Sequence, residues 1–179
     1  MTNGDTDDEA MRTAIATATP ARLITRPNPW VGAVVVTDDG RRFVGATEAP
    51  GSRHAEVVAL DAAGADARGA TLVTTLEPCC TTGRTGPCTE AIIRAGVSRV
   101  VVGIEDPDRA VRGLGIAALR AAGIAVDVGV RADEVAAQLA PYLHHRRTGR
   151  PFVVLKMACT ADGRTAAADG SSRWITGPE

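Results

Sequence analysis

Four side chains in this sequence could do chemistry together: His54, Glu56, Cys79 and Cys88. One imidazole and two thiolates can fill three corners of a zinc tetrahedron and leave the fourth for water. Such an ion acidifies its water towards neutral pH. Glu56, close to His54 in the chain, is a carboxylate placed to move that water's protons. The chemistry on offer is metal-assisted hydrolysis with its own proton shuttle. A closed structural zinc site would need a fourth protein ligand. Cys80 is the candidate, but it adjoins Cys79, and neighbouring residues rarely chelate one tetrahedral ion together. A structural site would also leave Glu56 without a purpose. Cys80 therefore reads as a pocket-lining or packed thiol and Cys159 as a small buried hydrophobe. His144 and His145 read as the solvated cap of a helix.

The elements that must position these residues follow from apolar periodicity and breakers. Residues 9–19 are Ala-rich and helix-compatible, and Pro20 with Pro27-Asn28-Pro29 marks a loop. Val31–Val36 and Arg41–Gly45 read as a β-hairpin around Thr37-Asp38-Asp39-Gly40. His54–Ala63 fits a helix closed by Gly64, which puts Glu56 on its first turn near His54. Ala70–Leu76 reads as a strand that delivers Cys79 through the Glu77-Pro78 corner, and Cys88 opens a helix over Thr89–Ala95. A helix N-terminus favours negative charge and lowers thiol pKa values. Strand Val97–Ile104, helix Gly115–Ala122, strand Ile124–Val130 and helix Asp133–Leu143 complete an alternating pattern. That alternation predicts an α/β sheet with helices on its faces. Residues 1–8 read as a disordered tail, 9–147 as one domain, and 148–179 as the opening of a second, with a strand at Phe152–Met157.

Composition narrows the function classes. The chain has 179 residues and a net charge of −1, and its only lysine is Lys156. No basic run exceeds Arg146-Arg147, and aromatics make up 3%, which argues against nucleic acid as a partner. No apolar run is long enough to span a membrane, and the acidic N-terminus is unlike a signal peptide. Three of the four cysteines cluster at 79–88, which reads as metal binding in a reducing, cytoplasmic setting rather than as disulfides.

The H-x-E…P-C…C order is that of the zinc-dependent nucleobase deaminases. More narrowly, from about Met11 to Glu179 the chain resembles the deaminase domain of the bifunctional riboflavin-biosynthesis deaminase/reductase family, within the cytidine-deaminase-like superfamily. The resemblance is carried by Pro27-Asn28-Pro29-Trp30-Val31-Gly32, His54-Ala55-Glu56, Thr75-Leu76-Glu77-Pro78-Cys79, Gly83-Arg84-Thr85-Gly86-Pro87-Cys88, Asp106-Pro107 and the Gly113/Gly115 pair. The long Cys79–Cys88 interval is peculiar to this family; cytidine deaminases and RNA-editing enzymes use a two-residue gap. The resemblance implies a three-layer fold with a central mixed sheet and helices on both faces. It implies zinc held by His54, Cys79 and Cys88, with Glu56 as the catalytic proton shuttle. It further implies a phosphoribosylated aminopyrimidine as substrate and a homo-oligomer, dimer or tetramer. Asn28 would hydrogen-bond the ring, Arg84 would face the phosphoribosyl group, and Asp106 belongs to the substrate side. The segment from Pro151, with Asp162-Gly163 and Trp174-Ile175-Thr176-Gly177, resembles the opening of the family's reductase domain. Only that opening is present, so no nicotinamide site is expected.

The chain also departs from the family. Thr47 and Thr81 stand where the family usually has histidines, Asp108 where it has asparagine, Arg109 where it has proline, and Gly86 replaces the first proline of a pair. Hydrogen-bonded sites discriminate strongly through such exchanges. Two readings therefore stand side by side: the usual riboflavin precursor, or a related aminopyrimidine met by Thr47, Thr81 and Asp108. A cytidine, guanine or tRNA-adenosine deaminase is the rival enzyme, opposed by the Cys79–Cys88 interval. A non-catalytic protein that binds a nucleotide-like ligand is the rival from another class, opposed by retention of Glu56.

Overall fold

A computed structural model describes residues 3–83 and 85–172. Five strands form one mixed sheet in the order β2-β1-β3-β4-β5. They are β1 (Gly32–Val36), β2 (Arg42–Ala46), β3 (Thr71–Leu76), β4 (Arg99–Ile104) and β5 (Ala125–Val128). β1 runs antiparallel to both β2 and β3, while β3, β4 and β5 are parallel. The middle strands are almost continuous Val, Leu and Thr, as a sheet covered on both faces requires. Helices α1 (Asn3–Ala18) and α5 (Ala132–Gln138) cover one face; α2 (Ala55–Ala63), α3 (Cys88–Ala95) and α4 (Leu114–Ala121) cover the other. This is the α/β sheet with helices on its faces predicted from the alternating pattern, and the three-layer form implied by the family resemblance.

Four expectations fail for identifiable reasons. Helix α1 starts at Asn3, so most of the stretch read as a disordered tail is helical. Its buried stripe is Ala10, Met11, Ala14 and Ala18, and its first turns are anchored by charge. Asp7 takes a two-pronged bond from Arg99 at 2.9 and 2.7 Å, and Asp8 pairs with Arg131 at 2.8 Å. Those partners lie far along the chain, so local composition could not reveal them. The single helix expected at Asp133–Leu143 is two, α5 and α6 (Ala140–Thr148), with Pro141 in the first turn of α6, where a missing N–H costs nothing. The strand expected at Phe152–Met157 is absent: the segment is exposed and unpaired, with Val153 80% and Leu155 79% accessible. A strand needs a neighbour to take its backbone hydrogen bonds, and no described strand offers one. Cys159, read as buried, is exposed with it.

Candidate active site

Backbone packing places the catalytic turn. Gly45 on β2 lies so close to α2 that a Cβ there would sit 2.3 Å from the Ala55 carbonyl oxygen and 2.5 Å from the Ala59 nitrogen. The absent side chain lets the first turn of α2 rest directly on the sheet. His54 is the N-cap of α2, and Glu56, one residue into the helix, is driven inward with Ala55, Ala59, Leu60 and Ala63. Cys79 follows β3 by way of Glu77 and Pro78, and Cys88 is the first residue of α3. Thr89 N–H donates to the Cys79 carbonyl at 3.1 Å, tying the two cysteine segments together.

The three expected ligands converge. The Nδ1 atom of His54 lies 3.2 Å from Cys88 Sγ and 3.5 Å from Cys79 Sγ, and all three donor atoms fall within 4.8 Å of one another. Zinc–nitrogen and zinc–sulfur bonds of the usual lengths place N and S about 3.5 Å apart across a tetrahedron. The donor set therefore fits zinc in type and in spacing. The sulfurs share charge unequally. Cys79 is held well below the ordinary thiol range, as a thiolate, by the Cys88 thiol and His54, with the Cys88 backbone N–H donating to it at 3.4 Å. Cys88, buried beside that thiolate, is pushed up. A divalent ion held there would take the place of the proton between them, with both cysteines bound as thiolates. Cys80 stands apart, with its thiol directed at the Ala110 carbonyl at 4.0 Å. Among the described residues it is not one of the metal-competent group.

Glu56 is 3% exposed, and its carboxyl lies beside the Cys88 thiol. Burial, and next the Cys79 thiolate, pushes its pKa up to about 7. A carboxyl poised near neutrality can both take and return a proton. Glu56, His54 and Cys79 line a cavity of about 230 Å³ together with Asn28, Thr47, Thr81, Asp106 and Asp108. An adjoining cleft of about 370 Å³ shares Asn28, His54, Cys79 and Thr81 and opens past Ser52, Gly83 and Thr85.

Several of these wall residues are already engaged. The Thr47 hydroxyl accepts from Val31 N–H at 3.1 Å and sits 3.4 Å from the Val31 carbonyl, so it fastens the start of β1. Asp106 accepts the Tyr142 hydroxyl at 2.9 and 3.0 Å and the Asp108 N–H at 2.9 Å, and burial raises its pKa. Asp108 takes the Ala110 N–H at 3.1 Å and pairs with Arg146 at 3.2 Å. Thr81 and the half-buried Asn28 remain open to the cavity. Arg84 lies outside the described residues.

Three cavity residues carried no role in the sequence reading. Tyr142 and Arg146 reach the cavity from α6, and the Arg146 guanidinium lies over the Tyr142 ring at 5.3 Å. Their signal was weak, because the pattern ended the preceding helix at Leu143. Glu77 is the third. Its Oε1 accepts from Gly115 N–H at 3.0 Å and Ile116 N–H at 3.2 Å, and its Oε2 from Asp106 N–H at 3.1 Å and Gly113 N–H at 3.0 Å. It thus caps α4 from the end of β3. Gly115 makes that approach possible, since a Cβ there would lie 2.0 Å from the Pro78 carbonyl oxygen. A carboxylate between an apolar strand and Pro-Cys was the available clue.

Residues 5–104 match the family described as the cytidine and deoxycytidylate deaminase zinc-binding region. The chain belongs to that family. Among curated relatives, this deaminase-family chain is 47% identical over 173 residues to the riboflavin biosynthesis protein RibD of Aquifex aeolicus, covering 97% of the chain and 49% of the relative. It is 49% identical over 171 residues to RibD of Mycobacterium tuberculosis, covering 94% and 50%. The chain spans about half the length of these relatives. Among solved structures it is similar to a diaminohydroxyphosphoribosylaminopyrimidine deaminase/5-amino-6-(5-phosphoribosylamino)uracil reductase from Thermotoga maritima. That match has a TM-score of 0.93 and 40% identity, and covers 98% of this chain and 51% of the other. A guanine deaminase from Nitrosomonas europaea, at 21% identity and a TM-score of 0.56, shares the fold. The comparisons favour the RibD-like deaminase over the cytidine- and guanine-type alternatives. Among the described residues no helix is long and apolar enough to cross a membrane.

Proposed function

We propose that this chain deaminates a phosphoribosylated aminopyrimidine by hydrolysis, with Glu56 as the proton shuttle. The observation that carries the reading is the buried Glu56 carboxyl, set beside the His54–Cys79–Cys88 donor triangle at the wall of one cavity. Zinc, when bound by that triangle, supplies a Lewis-acidic position that acidifies water. Glu56 accepts one proton of the water as its oxygen bonds to the ring carbon and delivers that proton to a ring nitrogen; it then carries the remaining hydroxyl proton to the amino group, which leaves as ammonia as the C–N bond breaks and the ring carbonyl forms. Asn28 holds the ring edge by its amide, Thr81 offers a hydroxyl beside it, and Arg84 serves the outer, phosphoribosyl end. Thr47 and Asp106 act as positioning residues through Val31 and Tyr142.

The engagement of Asp108 by Arg146 favours a substrate related to, but distinct from, the riboflavin precursor. The family's amide is replaced by an ion pair whose free donors belong to guanidinium. Residues 9–147 are proposed as the deaminase unit, 148–179 as the start of a second domain, and the protein as a cytoplasmic homo-oligomer.

The test is zinc content and ammonia release from purified protein given the riboflavin precursor and a panel of aminopyrimidines. Glu56→Gln is expected to keep its zinc and lose roughly 10²- to 10⁴-fold in turnover. An active Glu56→Gln protein, or a wild type without zinc, would overturn the assignment. Turnover of the riboflavin precursor at the rate of an ordinary family member would end the altered-substrate reading.

A further inference from the structure

Two aspartates two residues apart, Asp106 and Asp108, line the reaction cavity. Left alone they would present acceptor oxygens and negative charge to a ring held near Glu56. Helix α6 engages both. Tyr142 and Arg146 lie one turn apart on that helix and so share a face. The Tyr142 hydroxyl donates to the Asp106 carboxylate, at 2.9 and 3.0 Å from its two oxygens, and the Arg146 guanidinium pairs with Asp108 at 3.2 Å. The Asp108 N–H donates to Asp106 Oδ1 at 2.9 Å, and the Ala110 N–H to Asp108 Oδ1 at 3.1 Å. Every carboxylate oxygen of the two aspartates therefore has a protein donor.

This clasp is held in shape from both sides. The Arg146 guanidinium lies over the Tyr142 ring at 5.3 Å. Burial, and next the Asp106 charge, pushes the Tyr142 pKa up, so its hydroxyl stays a donor. The Asp106 backbone is pinned in turn by Glu77, whose Oε2 accepts its N–H at 3.1 Å. Arginine carries five N–H donors in a planar fork and no acceptor. One guanidinium nitrogen of Arg146 meets Asp108, and the side chain also lines the cavity. This wall thus offers a ligand N–H donors, with its acceptors already engaged. A wall of donors disfavours a ligand group that can only donate, because both partners are then left unpaired.

We propose that Tyr142 and Arg146 are specificity-determining residues of the deaminase site. By engaging both aspartates and turning guanidinium donors to the cavity, they select a pyrimidine that offers a ring carbonyl at the edge facing α6 over one that offers an amino group there. The proposal rests on the deaminase reading and adds the side chains that choose among aminopyrimidines. It places that choice on α6, beyond residues 5–104 that match the deaminase family and away from the loop between Cys79 and Cys88.

Calorimetry on zinc-loaded Glu56→Gln protein, which is expected to bind without turnover, tests it with two probes. One is diaminohydroxyphosphoribosylaminopyrimidine, whose hydroxy group is a ring carbonyl in its stable tautomer; the other is the analogue with an amino group in that place. The carbonyl probe is expected to bind about tenfold more tightly or better. Adding Arg146→Gln leaves Asp108 as an unpaired acceptor and is expected to cut that preference by about tenfold. Adding Asp108→Asn as well withdraws the charge and is expected to weaken the amino probe again. Tyr142→Phe keeps the ring, frees the Asp106 oxygens and is expected to move the preference in the same direction as Arg146→Gln. A purely structural role would weaken both probes alike and leave their ratio unchanged. An unchanged ratio in Arg146→Gln and Tyr142→Phe, no preference before either is introduced, or binding of neither probe overturns the proposal. Failure of the deaminase reading itself shows separately, as absence of ammonia release from wild type with every aminopyrimidine tried.

Discussion

Glu77→Gln changes one atom of the carboxylate and leaves its volume alone. In the native protein four backbone N–H groups converge on Glu77, two on each oxygen. An amide can serve only one of those pairs; its NH2 must face the other, donor against donor. The amide is expected to keep its oxygen on Gly115 and Ile116, whose bonds are buried, and turn its nitrogen to Asp106 and Gly113, where the Gly113 bond is only partly buried. Each buried donor that loses its acceptor costs about 1–3 kcal/mol, and the partly buried Gly113 N–H belongs at the low end. The α4 N-terminus also loses a compensating charge, worth about 0.3–1 kcal/mol. The sum is about 3 kcal/mol. For a chain of 179 residues this predicts a fall of roughly 6–12 °C in melting temperature. Thermal denaturation followed by circular dichroism on zinc-loaded protein measures it. Glu90→Gln is the control: it removes an exposed carboxylate 3.6 Å from Arg94 and is expected to cost less than about 0.5 kcal/mol. A Glu77→Gln midpoint indistinguishable from that of Glu90→Gln would refute the capping argument.

Gly115→Ala drives a methyl group onto the Pro78 carbonyl at 2.0 Å, beside Cys79. It is expected to destabilise the chain by about 1–3 kcal/mol and to weaken zinc binding in a chelator competition. In zinc-free protein the pKa of Glu56 is raised from 4.5 to about 7 by burial. The stability linked to its neutral form is complete below pH 4.5 and is lost as pH rises through 7. Metal-free Glu56→Gln should therefore be more stable than metal-free wild type at pH 8, by up to about 3 kcal/mol, and no more stable at pH 4, as read by urea denaturation. Equal stability of the two at pH 8 would contradict a buried, costly charge. Asp7→Asn with Asp8→Asn removes the α1 partners of Arg99 and Arg131, which keep Asp127 and Glu134. It is expected to cost about 1–2 kcal/mol and to speed amide exchange in the first turns of α1 while β3 stays protected.

The metal triangle and its shuttle were legible because their chemistry is tied to residue type and short spacing. An imidazole and a carboxylate two residues apart at a helix start, and cysteines at a strand end and a helix start, can be read before any fold is known. The strand–helix alternation was legible for a similar reason. Buried Val and Leu runs and Gly breakers act over a few residues, and every strand and helix from β1 to α4 lies within a few residues of its expected place. Sequence alone thus determined the reaction class offered by His54, Glu56, Cys79 and Cys88, and the layered sheet that carries them. Tertiary structure decided everything that depends on partners distant in the chain. Glu77 became a helix cap only because β3 ends against α4, and Thr47 was committed to Val31 only because β1 and β2 pair. The first turns of α1 were secured by arginines from beyond β3, whereas Phe152–Met157, with no described strand beside it, is exposed and forms no strand. The physical reason is common to all: hydrogen bonds and ion pairs are short-ranged in space, and nothing local in a sequence records which remote segment will supply the other half.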